Sequence, residues 1–96
     1  MREPQPYWVY IVECKDKSLY TGICRDIEAR IIVHNTATTG AKYTRSRRPV
    51  CLVYASLQQD KGDALREEAR IKSLTREQKL TLIAQSTHSN NAHATL

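Results

Sequence analysis

Apolar and polar positions sort this chain into short blocks. Tyr7 to Val12 is an unbroken aromatic and β-branched run, which predicts a strand buried on both faces. Lys15-Asp16-Lys17-Ser18 forms a polar turn and Leu19 to Ile23 a second strand, so the two are expected to pair as a hairpin. Tyr10 and Tyr20 then become direct or diagonal neighbours, provided the register sets both on one face. Pro4 and Pro6 mark an extended leader ahead of the hairpin.

Asp26 is a good N-cap for a helix reaching about Asn35. Ile27 and Ile31 share one side of that helix, with Arg30 and His34 at its edge; Ala29, Ile32 and Val33 occupy another side. A helix apolar nearly all round is expected to be mostly buried. Arg30 and His34 stand one turn apart and can face the same site. Thr36 to Arg48 reads as a loop of threonines and basic residues, and Pro49 introduces a third strand, Val50 to Ala55. Asp60, Gly62 and Asp63 precede a helix from about Ala64 to Lys72. Thr75 with Gln78 matches a capping box and starts a last helix, to about Ile83. From Gln85 onward the side chains offer little to pack, which predicts one folded domain over residues 1–84 and a disordered tail over 85–96. The predicted order is β-β-α-β-α-α, an α+β class, with no internal repeat.

Composition narrows the function. A chain of 96 residues has room for one core, and a net charge of +5 favours an anionic partner, of which nucleic acid is the commonest. The 3 cysteines, Cys14, Cys24 and Cys51, show no C-x-x-C spacing, so neither a disulfide framework nor a zinc site is implied. Reduced thiols fit a cytoplasmic protein. The apolar run ending near Val12 is too short to span a membrane, and Glu13 follows it where a signal peptide would carry small residues.

Candidate chemistry centres on a few polar residues. On the wheel of the third helix, Ala64, Leu65 and Ile71 define an inward face and Glu68 falls between them, while Arg66, Glu67 and Arg70 point elsewhere. A carboxylate facing a core needs a cation, a donor or a metal. Either a salt bridge, for instance to Arg30, or a divalent ion meets that need; one carboxylate completed by water suits Mg²⁺ or Mn²⁺. Arg30 can supply fixed charge to a pentacoordinate phosphate, and His34 can donate to phosphate or polarise a hydroxyl, although both residue types also serve purely structural ends. Tyr10 and Tyr20 are either packed strand tyrosines or, with a lowered pKa or a proton relay, a base. Gly22 permits close approach of backbone or substrate. Lys42, Tyr43, Arg45, Arg47 and Arg48 form either a phosphate-contacting segment or a solvated loop.

Taken in order, these residues resemble the GIY-YIG nuclease family. Val9-Tyr10-Ile11 stands where the family has Gly-Ile-Tyr, with Tyr10 as its tyrosine in a degenerate form, and Tyr20-Thr21-Gly22 stands at Tyr-Ile-Gly. Arg30, His34 and Glu68 fall at the family's arginine, its His-or-Tyr position and its metal-binding glutamate. The spacing is most similar to the small stand-alone YhbQ-type members and covers about residues 6–84. The resemblance implies a three-stranded antiparallel sheet flanked by helices. It also implies a divalent-metal-dependent endonuclease acting on DNA, with a role in repair or recombination. In that scheme a tyrosine takes a proton from the attacking water, Arg30 stabilises the charged intermediate, and a metal on Glu68 assists the leaving oxygen. Two departures stand against full activity: the first tripeptide lacks its glycine, and Ile23 occupies a position where several family nucleases carry lysine. The competing expectations are a nucleic-acid-binding module without catalysis and a basic subunit that docks a protein partner.

Overall fold

The computed structural model describes residues 5–36 and 42–94, with the side chains of residues 42 and 87–94 left aside. Three strands and four helices follow one another as β1 (Tyr7–Glu13), β2 (Leu19–Cys24), α1 (Ile27–Thr36), α2 (Lys42–Arg45), β3 (Cys51–Gln58), α3 (Lys61–Lys72) and α4 (Arg76–Ala94). The sheet is antiparallel in the order β2-β1-β3, so the first strand is central. That position explains its sequence: Val9 to Val12 are all buried because neighbours cover both edges and layers cover both faces.

Alternation along β1 splits the core in two. Val9 and Ile11 pack with Tyr54, Ala64 and Ile71 on the α3 side. Tyr10, Val12, Cys14 and Val50 pack on the other side, where Ile27 and Ile31 of α1 cover them. The register pairs Tyr10 with Gly22 and Val12 with Tyr20, so the two tyrosines lie diagonally on the same face. Between β1 and β3, Ile11 pairs with Tyr54 and Val12 with Leu52, which leaves Val53 as a bulge.

Local signals set the helix starts. Asp26 caps α1 by accepting from the Ala29 amide at 3.1 Å. Thr75 and Gln78 exchange the two bonds of a capping box at the start of α4.

Several expectations need correction. The segment 36–48 is not all loop, since residues 42–45 close a helical turn. β3 runs on to Gln58, and α3 begins at Lys61 because Asp60, rather than a later residue, accepts from the Asp63 amide as N-cap. α4 extends beyond Ile83 to Ala94; residues 84–94 contain neither glycine nor proline to stop it. α1 is not mostly buried: His34 is its one buried residue and Ile32 is 61% exposed, because only the side carrying Ile27, Ile31 and His34 meets the sheet. Leu65 does not face inward either. Ala64 and Ile71 are buried, but Leu65 lies a further 100° round the helix and is 46% exposed.

Candidate active site

One tyrosine hydroxyl organises the α1 side of the sheet. Tyr10 points its ring across Gly22 on the neighbouring strand, and only 1% of the residue reaches solvent. Its Oη lies 2.8 Å from His34 Nε2, and Arg30 Nε donates to it at 3.4 Å. Both partners come from one side of α1, as their spacing of one turn requires. His34 is in turn 2.8 Å from Thr44 Oγ1 through its Nδ1, while Arg48 donates to the His34 carbonyl oxygen.

Hydrogen-bond bookkeeping sets the proton positions. Arg30 can only donate, so the Tyr10 O–H must find an acceptor, and His34 Nε2 is the one within reach among the described contacts. His34 therefore carries its proton on Nδ1 and gives it to Thr44 Oγ1. Burial, then Arg30 and Arg48, lower the His34 pKa from 6.5 to about 4, so the ring is neutral at pH 7. Burial also raises the Tyr10 pKa, an effect that Arg30 opposes without reversing. The Arg30 pKa is raised, chiefly by its bond to Tyr10, so the guanidinium stays charged.

A depressed histidine pKa makes folding stability depend on acid. Between pH 6.5 and about 4 the unfolded chain binds a proton that the folded chain refuses. Stability is therefore full above pH 6.5 and is lost as pH falls toward 4, by up to about 3 kcal/mol. Urea unfolding across that range is expected to show this slope in the wild type, with a shallower one in His34→Gln.

Gly22 is required here for space rather than for backbone freedom. A Cβ added at Gly22 would meet Tyr10 Oη at 2.6 Å and Cζ at 2.8 Å. Gly22→Ala must therefore push the phenol away from Arg30 and His34. The expected cost is about 1–3 kcal/mol of stability, typical of overpacking, together with a weakened Tyr10–His34 bond. Chemical denaturation and the His34 ring resonances check both effects.

The remaining expected residues are placed unequally. Tyr20 joins the cluster through its ring, 6.5 Å from that of Tyr10 and 5.4 Å from that of His34. Tyr43 stacks on Tyr20 at 5.8 Å, and the Arg47 guanidinium carbon lies 4.1 Å from the centre of the Tyr43 ring. Arg47 also donates to Asp16 and to the Tyr43 carbonyl, and Arg48 is engaged with His34, so these two basic groups brace the fold of their own segment. Arg45 is exposed; the Lys42 side chain lies outside the described residues. Glu68 is joined to the tyrosine cluster by none of the described hydrogen bonds or ion pairs. Its side chain is 19% exposed, and its carboxylate pairs with Lys72 at 3.3 Å rather than with Arg30. Thr44 is the site residue that sequence reasoning misses. A threonine between Tyr43 and Arg45 carries no signal of its own; its complete burial comes from α2 folding back against α1.

The three thiols lie in different settings: Cys14 is buried, Cys24 half-buried and Cys51 exposed, and all are free. Among the described residues no helix is long and apolar enough to cross a membrane.

Comparison with known proteins bears on the family and the fold. The sequence profile of the GIY-YIG catalytic domain matches residues 6–81. A UPF0213 protein of Staphylococcus haemolyticus is 53% identical over 79 residues, which cover 82% of this chain and 95% of the relative. Another, from Staphylococcus epidermidis, is 52% identical over the same coverage. Among solved structures, the solution structure of a UPF0213 protein of Bacillus halodurans is 42% identical, with a TM-score of 0.55, and covers 83% of this chain and 84% of its own. That of an E. faecalis protein is 32% identical with the same TM-score of 0.55, at 85% and 88% coverage. With the profile spanning most of the sequence and the two tyrosines, arginine and histidine meeting at one point, this chain belongs to the GIY-YIG nuclease superfamily, among its small UPF0213-like members.

Proposed function

We propose that this protein is an endonuclease that hydrolyses phosphodiester bonds in DNA with one divalent ion, Mg²⁺ or Mn²⁺, in repair or recombination. The observation that supports it best is the Tyr10 hydroxyl held between a fixed cation and a neutral imidazole. Burial keeps the Tyr10 pKa high, so no standing phenolate is available. Tyr10 instead works as a relay, taking a proton from the attacking water as its own passes to His34 Nε2. In the free protein His34 holds that proton poorly, because Arg30 and Arg48 add to the effect of burial. A bound phosphate offsets both arginines and makes His34 the better acceptor, so substrate itself turns the relay on. Arg30 uses Nε to fix Tyr10; in this reading its terminal nitrogens meet the phosphate oxygens as charge develops. Tyr20, less buried than Tyr10, forms the wall on the substrate side.

Glu68 would hold the metal. A single carboxylate suits an ion that keeps its waters and binds phosphate oxygens. The partner to be displaced, Lys72, is 54% exposed and readily solvated. When bound, the ion supplies positive charge to the scissile phosphate and its leaving oxygen.

The test is cleavage of single-stranded, duplex, flapped and branched DNA, and of RNA, in Mg²⁺ or Mn²⁺. A chelator is expected to abolish cleavage. Glu68→Ala is expected to raise the metal concentration for half-maximal rate at least about tenfold, the cost of losing even an outer-shell partner. Cleavage indifferent to chelator and to Glu68→Ala would sink the proposal. Binding without cleavage would favour the non-catalytic reading, which Ile23 supports: it packs into the α3-side core and brings no charge to the tyrosines.

A further inference from the structure

A cavity adjoins the tyrosine cluster. It has a volume of about 200 Å³ and is lined by Ser18, Leu19, Tyr43, Arg76 and Lys79. These residues come from the β1–β2 turn and start of β2, from α2 and from the first turns of α4. Tyr43 is the shared wall, since its ring stacks on Tyr20 while it also lines the cavity.

The lining has a clear chemical sense. Two of the five residues are cations and none is an acid. Arg76 is oriented by a 2.9 Å bond from its terminal nitrogen to the Lys17 carbonyl oxygen, which fixes the guanidinium over the hairpin turn. The acids of that turn are already engaged: Asp16 with Ser18 and Arg47, and Glu13 with Lys17. The lining therefore carries net positive charge, and two cations side by side match a phosphate. Leu19 and Tyr43 add an apolar edge that suits a sugar or base. Small-molecule pockets run to roughly 300–1,000 Å³. This smaller one fits a single link of a polymer better than a whole free cofactor.

We infer that this cavity holds the phosphate and sugar of one nucleotide flanking the scissile bond, so that the substrate strand passes from Arg30 across Tyr43 to Arg76 and Lys79. The inference rests on the nuclease reading of the Tyr10 site and extends it to the substrate.

Amide shifts in the full chain, titrated with a 5′-phosphorylated deoxydinucleotide without metal, test it independently of cleavage. The largest shifts are expected at Ser18, Leu19, Arg76 and Lys79. Arg76→Gln/Lys79→Gln is expected to weaken binding at least tenfold. Lys79→Gln alone, which spares the Arg76–Lys17 bond, should weaken it several-fold. With a longer single strand, the double variant is expected to lower the slope of log affinity against log salt by about 0.7, for one phosphate contact. Shifts centred elsewhere, or unchanged affinity in both variants, would overturn the assignment. So would inorganic phosphate binding as tightly as the dinucleotide. Failure of the nuclease reading appears separately, as cleavage unaffected by substitution of Arg30 or Glu68 with these shifts intact.

Discussion

Tyr10→Phe is expected to slow the chemical step by about 10²–10⁴-fold, the usual worth of a positioned acid–base group, with KM little changed. The substitution keeps the ring, and with it the packing against Tyr20 and over Gly22. What it removes is the one oxygen that connects Arg30 to His34. His34 Nε2 is then left buried without its proton donor, at a cost of about 1–3 kcal/mol of stability. Single-turnover kinetics at saturating substrate separate the two effects. A variant with near-normal turnover and a raised KM would show that Tyr10 positions substrate and carries no proton.

Arg30→Gln is expected to lower turnover by about 10²–10³-fold, the scale seen when a single transition-state donor is lost. Arg30→Lys should recover little of it. A lysine cannot hold Tyr10 with one nitrogen and offer a planar pair to phosphate with the others. The same variant has a second readout that needs no substrate. Arg30 is one of two arginines that depress the His34 pKa, so its removal should raise that pKa from about 4 back toward 6.5. It also removes the influence that lowers the Tyr10 pKa, so the phenol should titrate higher still. Ring resonances followed against pH report both shifts. A His34 pKa unmoved by the substitution would mean that burial and Arg48 set it, and that the imidazole does not sense charge at the Arg30 position.

Much of the fold was legible because its signals are local. The apolar run at residues 7–12, Asp26 as a cap and the Thr75–Gln78 pair act over a few residues, and each does in the structure what its chemistry dictates. The candidate site was legible as an ordered set of residue types through the family resemblance; one helical turn explains why Arg30 and His34 share a side of α1, while their meeting with Tyr10 is tertiary. What sequence concealed depends on tertiary coverage. The α1 pattern could not reveal that nothing packs over Ile32, nor could a helical wheel decide how far α3 rotates and so expose Leu65. The engagement of Arg47 and Arg48 was hidden for a similar reason. Their acceptors, Asp16 and the His34 carbonyl, are distant in sequence, and a run of basic residues looks the same whether it faces water or braces a turn.

The bond from the His34 ring to Thr44 makes the burial of that imidazole depend on a four-residue helix that by itself is too short to be stable. Arg30 and Tyr10 set where the proton sits; Thr44 supplies the acceptor that keeps the buried Nδ1–H satisfied. Loss of the α2 packing would strand that donor at a cost of about 1–3 kcal/mol. One helical turn thus underwrites the histidine from behind, and the nitrogen chemical shifts of a single imidazole would register its loss.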